Sequence, residues 1–340
     1  MHKIQNVLIA GTGSIGGYLI GLLSTKASDA GLRIIAYASP RSANVIRRKG
    51  LRIESKDHSI TAHPEVITEI DDTLSVDLVI VATKSTQLTA VLRSVLPLLD
   101  KGAALLTTMN GVPWWLANHP RLGGHPLEQL DPEGWLQDVV PLTRTAAAVV
   151  DVGCERPDLG HVRHHFGRSL TIGTPEPNHE LLARIVGLLA SASLDCEVSD
   201  DIRKPLWSKL INNGSMNPIS LLTHSTLFEM ATCQPGRQVT VQAMTEITRV
   251  GNVLGFGPFG DIEERLASRA AFGAFKTSML QDFEAGRELE LNALVGAIVE
   301  IANRTNVNVP TLEAILLLSR QLALVTPPKS RNAPQHGAPA

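Results

Sequence analysis

A chain of 340 residues with 44% apolar and 19% charged residues can bury a sizeable core, and at roughly 100 to 200 residues per domain it most naturally holds two. Its formal net charge of −2 gives no overall attraction to nucleic acid or an anionic membrane. No apolar run approaches the roughly 18 to 20 residues of a membrane helix, no secretory leader pattern is visible, and Cys154, Cys196 and Cys233 show no C-x-x-C spacing. A soluble, cytoplasmic protein with the cysteines as small apolar fillers is the expectation. The one basic run, Arg47, Arg48 and Lys49, reads as the solvated end of a helix.

The first 110 residues alternate short apolar runs with longer helical patterns. Val7 to Ala10, Arg33 to Ala38, Leu78 to Ala82 and Ala103 to Thr107 read as buried parallel strands, the βαβ signature. Gly11-Thr12-Gly13-Ser14-Ile15-Gly16 follows the first strand and opens a predicted helix from Ser14 to Leu23. In that setting Gly11 permits the sharp turn, Gly13 lets phosphates approach the main chain, and Gly16 lets helix and strand pack closely, so a dinucleotide site is favoured over a plain bend. No acidic residue ends the second strand; Ser39 and Arg41 stand there instead and would complement a 2′-phosphate, favouring NADP(H), unless Arg41 is merely a surface charge. Lys84 and Asn110 close two further strands, where open α/β sheets place their ligands.

Between about Val112 and Pro177 the texture becomes rich in Pro, Gly and His, with strand-like pieces "TAAAVVDV", "HVRHHF" and "SLTIG" that extend the sheet, and an irregular insert at about Asn118 to Asp138. That insert could be a lid, an oligomer contact or an exposed loop. His161, His164 and His165 lie in a strand without a nearby carboxylate cluster, so no metal is expected; Trp114 and Trp115 read as packing residues. Helical periodicity at Leu181, Leu182, Ile185, Val186, Leu188 and Leu189 is followed by a last strand, "DCEVS". From Asp201 onward only helices are expected, the clearest carrying Leu291, Leu294, Val295, Ile298, Val299 and Ala302. These patterns give domains at 1–200 and 201–326, with 327–340 a proline-rich disordered tail.

Lys209, Asn213 and Asn217 are spaced by four and line one face of a helix that Pro205 can start; Trp207, Leu210 and Ile211 fall off that stripe. Such a stripe is either the wet side of a helix or a site. Lysine can neutralise and protonate a developing alkoxide, and asparagine amides can hold a hydroxyl or carboxylate without competing for the proton.

The pieces "GTGSIGG", "ATK", "NGVPWW", "LWSKLINNGSMNP" and "SMLQDFEAGRELELNALVG" resemble the ketopantoate reductases (2-dehydropantoate 2-reductases) over nearly the whole chain. The resemblance implies a Rossmann-like α/β domain with an extended, mostly parallel sheet. It also implies an all-helical domain like the C-terminal part of 6-phosphogluconate dehydrogenase, and NADPH-dependent reduction of ketopantoate to pantoate between the two. It assigns proton donation to Lys209, substrate contacts to Asn213, Asn217 and Ser278, a place near the reacting oxygen to Glu290, and cofactor or ordering roles to Lys84 and Asn110. Ser278 and Glu290, twelve apart, need a bend that Gly286 could supply. Phe275 and Leu227 stand where asparagines are expected, which keeps another branched or apolar 2-oxo acid open as substrate. A dinucleotide sensor without turnover is the remaining alternative, and the resemblance leaves room for a homodimer.

Overall fold

The computed structural model describes residues 3–326, and the predicted tail at 327–340 lies outside them. By packing, the described residues form two compact units: one of residues 3–110, 114–117 and 131–206, the other of 111–113, 118–130 and 207–326.

The first unit is built on one ten-stranded sheet. Its strands are β1 (Asn6–Ala10), β2 (Arg33–Tyr37), β3 (Leu51–Glu54), β4 (Ser59–Ala62), β5 (Glu65–Ile67), β6 (Leu78–Val81), β7 (Ala104–Thr107), β8 (Thr145–Asp158), β9 (His161–Gly173) and β10 (Asp195–Val198). They lie in the order β4-β3-β9-β8-β7-β6-β1-β2-β5, with β10 beside β9. The four predicted strands form the parallel centre, β2-β1-β6-β7, and are apolar because both faces are covered. Sequence reading passed over β3, β4 and β5, whose polar residues leave no continuous apolar run. It also divided β9, which is a single strand: Gly167, at φ +75°, lies between "HVRHHF" and "SLTIG", where the pairing with β8 slips register.

The helices of this unit are α1 (Ser14–Ala30), α2 (Pro40–Lys49), α3 (Leu88–Asp100), α4 (Trp135–Val139) and α5 (His179–Ser191). Asn178 caps α5 by accepting the Leu181 N–H at 2.9 Å, and Leu181, Leu182, Ile185, Leu188 and Leu189 are its buried face.

The second unit carries α6 (Arg203–Thr223), whose first residues are counted with the sheet unit, then α7 (Leu227–Thr232), α8 (Gln234–Val253), α9 (Ile262–Ala270), α10 (Ser278–Glu284), α11 (Ala297–Arg304) and α12 (Pro310–Val325). The helix read from the apolar period at Leu291 to Ala302 is interrupted: Asn292–Gly296 is a π-helical turn leading into α11. Leu291, Leu294, Val295, Ile298 and Ala302 are nonetheless all buried, so the apolar spacing alone does not betray the interruption. Glu246, buried on α8, accepts the N–H groups of Thr311 and Leu312 at 3.0 and 2.9 Å and so caps α12 with a carboxylate. Among the described residues no helix is long and apolar enough to cross a membrane.

Candidate active site

The glycine turn joins β1 to α1, and its three glycines meet three different surroundings. Gly11 sits at φ +102°, and a Cβ there would lie 2.8 Å from Thr83 Cγ2 and 3.0 Å from the Ala82 carbonyl oxygen. A Cβ on Gly16 would lie 2.0 Å from the Gly11 carbonyl oxygen, so helix and turn touch main chain to main chain. A Cβ on Gly13 would meet nothing within 4 Å. Closure at Gly11 and Gly16 with space at Gly13 is the shape a pyrophosphate needs at the N-terminus of α1. Thr12 is buried and Ser14 and Ile15 are half-buried.

Ser39 and Arg41 follow β2, as their spacing required. Ser39 caps α2, its Oγ accepting the Ser42 N–H at 3.4 Å, and both Ser39 and Arg41 are exposed. Lys84, half-buried, follows β6 and precedes the short 3-10 turn Ser85–Gln87; Asn110 comes just after β7. The turn, Ser39, Arg41, Lys84 and Asn110 thus all belong to the sheet unit, beyond the carboxyl ends of β1, β2, β6 and β7.

Lys209, Asn213, Asn217, Ser278 and Glu290 belong to the helical unit. On α6 the stripe is as read, with Lys209 and Asn213 half-buried and Asn217 only 5% exposed, while Trp207, Leu210 and Ile211 are buried off it. The Trp207 indole donates to the Ile247 carbonyl at 3.0 Å, pinning the start of α6 to α8. Asn217 Nδ2 is buried with no hydrogen-bond partner, an arrangement that costs free energy unless a ligand acceptor fills it.

Gly214 went unnoticed in the sequence. A Cβ there would lie 2.9 Å from both the Leu294 carbonyl oxygen and Ile298 Cδ1 and 3.0 Å from Ile247 Cδ1. It therefore lets α6 approach the main chain of the turn that follows Glu290. The signal was present only as a small residue one turn beyond Leu210, on the apolar side of α6.

Ser278 and Glu290 are not on one bent helix. Thr277 caps α10, and Ser278, its first residue, is exposed. The helix ends in a Schellman motif: Gly286 takes φ +62°, its N–H bonds the Phe283 carbonyl at 2.9 Å and the Arg287 N–H bonds the Asp282 carbonyl at 2.8 Å. Gly286 therefore stops the helix rather than bending it, and half-buried Glu290 precedes the next one. Leu227 and Phe275 are neighbours, the Leu227 N–H donating to the Phe275 carbonyl at 3.0 Å and Phe228 N–H to that of Gly273 at 3.2 Å.

Elsewhere the outcomes are mixed. His161 and His165 do have carboxylates beside them, Glu54 at 2.8 Å and Glu155 at 3.6 Å, while His164 stacks on Tyr18 at 4.9 Å; these pairs are separate, and among the described residues no three ligands gather for a metal. The hydrogen bond from His161 holds Glu54 below the usual carboxylate range. Cys154 and Cys196 are partly buried, burial pushing the Cys154 thiol up to about 12, but Cys233 is exposed and is no core filler. Trp114 and Trp115 are buried.

Residues 7–177 match the family described as Ketopantoate reductase PanE/ApbA, and residues 201–323 match its C-terminal domain. The chain belongs to the ketopantoate reductase family. It is 34% identical over 326 residues to a 2-dehydropantoate 2-reductase of Mesorhizobium japonicum, covering 94% of this chain and 98% of the relative. A provisionally assigned ketopantoate reductase of Ralstonia solanacearum MolK2 superposes with a TM-score of 0.88 at 32% identity, covering 95% of this chain and 99% of that one. A D-mandelate dehydrogenase, solved with NADH and anilino(oxo)acetate, shares the fold at 20% identity with a TM-score of 0.78, over 93% of this chain and 97% of that one. The family is one of oxidoreductases.

Proposed function

We propose that the protein is a cytoplasmic, NADPH-dependent reductase of a small 2-oxo acid, with ketopantoate the leading substrate and pantoate, for pantothenate biosynthesis, the product. The observation that carries the reading is the α6 stripe: a lysine, two asparagines and an unsatisfied buried amide at Asn217 Nδ2, on a helix that Gly214 lets approach the main chain of the turn after Glu290. The 34% identity to the 2-dehydropantoate 2-reductase of Mesorhizobium japonicum supports the substrate.

The dinucleotide fits the glycine turn, where Gly13 leaves room for its phosphates and Thr12 to Gly16 present the main chain of α1. Ser39 and Arg41 would take its 2′-phosphate, with Lys84 and Asn110 ordering its nicotinamide end. When bound, it supplies the hydride. The remaining work falls to side chains. Lys209 lies against the carbonyl oxygen, neutralises its growing negative charge and gives it a proton, so that an alcohol forms. Glu290 orients Lys209 or the new hydroxyl. Asn217 Nδ2 donates to the carboxylate, a bond that repays its burial, and Asn213 and Ser278 complete the polar hold.

A second reading changes only the substrate. Leu227 and Phe275, hydrogen-bonded neighbours, would form an apolar wall where asparagines would serve a hydroxylated acid. The D-mandelate dehydrogenase of the same fold acts on an acid with an aromatic side chain. A panel of 2-oxo acids with and without a side-chain hydroxyl, assayed with NADPH and NADH, decides: kcat/KM highest for ketopantoate with NADPH supports the first reading, and preference for apolar acids supports the second. Absence of turnover with every acid would leave a dinucleotide sensor.

A further inference from the structure

We infer that the insert is a strap that fixes the π-turn, and that Gln129 and Arg320 are positioning residues for Glu290 acting through that turn. The inference rests on the role proposed above for Glu290. A π-turn is a poorer helix than the α-form and persists where neighbours hold it. Here Ala297 N–H donates to the Asn292 carbonyl, five residues back. The next carbonyl, that of Ala293, accepts the Val112 N–H at 2.9 Å. Gly111, at φ +101°, makes this contact possible, since a Cβ there would lie 2.6 Å from Ala293 Cβ. Gly214 of α6 supports the Leu294 carbonyl on another side.

The third support comes from the insert. Arg320 of α12 reaches both Gln129 Oε1, at 2.6 Å, and Asn292 Oδ1, at 3.1 Å. Gln129 Oε1 lies over Gly296, where a Cβ would meet it at 2.7 Å. Gln129 is itself anchored: the Glu300 carboxylate accepts the N–H groups of Glu128 and Gln129 at 2.9 and 3.0 Å, and Arg304 bonds that carboxylate and the carbonyls of His125 and Pro126. The stretch from His125 to Gln129 is thus fastened along α11 and ends on the π-turn. Glu290 is tied to the same turn, because its carbonyl accepts the Leu294 N–H at 3.1 Å. If the turn relaxes to an α-helix its residues rotate past one another, and Glu290 moves with them.

The test is a cycle of Arg320→Ala and Glu290→Gln, singly and together, with Gln129→Ala and Gln129→Glu as companions. Glu290→Gln should lower kcat. Arg320→Ala and Gln129→Ala should each lower kcat about ten-fold, a misplacement effect, with the KM for the 2-oxo acid and the melting temperature little changed. Gln129→Glu, which keeps the acceptor for Arg320, should restore most of the loss. In the Glu290→Gln background Arg320→Ala should add almost nothing. An equal loss in both backgrounds, or no loss in either while Glu290→Gln is impaired, overturns the strap and leaves the role of Glu290 standing. Full turnover by Glu290→Gln removes that role, and the strap as its positioning device falls with it.

Discussion

The glycine turn and the π-turn are both places where backbone approaches backbone, yet they are encoded differently. In the first, Gly11, Gly13 and Gly16 lie within six residues, Gly11 and Gly16 closed in by the turn itself and by Ala82 and Thr83, and Gly13 facing open space. In the second, Gly111, Gly214 and Gly296 come from a loop, a helix and the turn itself, and only the folded helical unit gathers them. A local site can be read as a motif, whereas a site assembled from distant residues exists in the sequence only as scattered small residues.

The sharpest way to break the comparison is within the first region. Gly16→Ala places a methyl 2.0 Å from the Gly11 carbonyl oxygen, which has no room to yield, so the cost should reach or exceed the upper end of the roughly 1–3 kcal/mol typical of overpacking. Gly13→Ala meets nothing within 4 Å and should leave stability within about 0.5 kcal/mol while weakening the dinucleotide. Thermal melts with and without NADPH check both. Equal melting temperatures for the two variants would mean that the glycines do not divide the work between fold and ligand.

Lys209→Ala comes next, with an expected loss of about 10²-fold in kcat, the ordinary contribution of a general acid, and little change in NADPH affinity. Near-normal turnover would take the chemistry away from α6. Gly214→Ala tests whether contact with the Leu294 carbonyl matters: a cost of about 1–3 kcal/mol in stability with a parallel fall in kcat is expected. Retained stability and kcat would show that the crossing tolerates a methyl and that the two segments are not held by that contact.

How much was legible follows the same division. The four central strands stood out because strands buried on both faces must be apolar, and the α6 stripe because its polar residues recur every four. β3 to β5 did not, since half-exposed strands such as "LRIE" and "SITA" carry polar residues on one side. The π-turn was hidden because Leu294, Val295 and Ile298 satisfy both helical periods, and the strap because Glu300 and Arg304 look like an ordinary surface pair at i, i+4. Gly286 was seen as important but given the milder role, a bend, because its capping hydrogen bonds are invisible without φ.

The smallest effect concerns the corner after β2, where the proposed reading places the choice between NADPH and NADH. The segment from Tyr37 runs through Ala38, Ser39 and Pro40 to Arg41 with no carboxylate to hold a 2′-hydroxyl. Arg41 is exposed, so a bond to a 2′-phosphate is made in water and screened by salt, which argues for the low end of the roughly 1.5–3 kcal/mol of charged hydrogen bonds. Arg41→Ala should therefore weaken NADPH about ten-fold and NADH hardly at all. Titrating both nucleotides against wild type and variant measures this directly. Raising ionic strength should shrink the gap between the two proteins, because only the wild type has the charge pair to lose. Equal weakening of NADPH and NADH would place Arg41 elsewhere, and Ser39, which already caps α2, could not by itself account for a preference between the two.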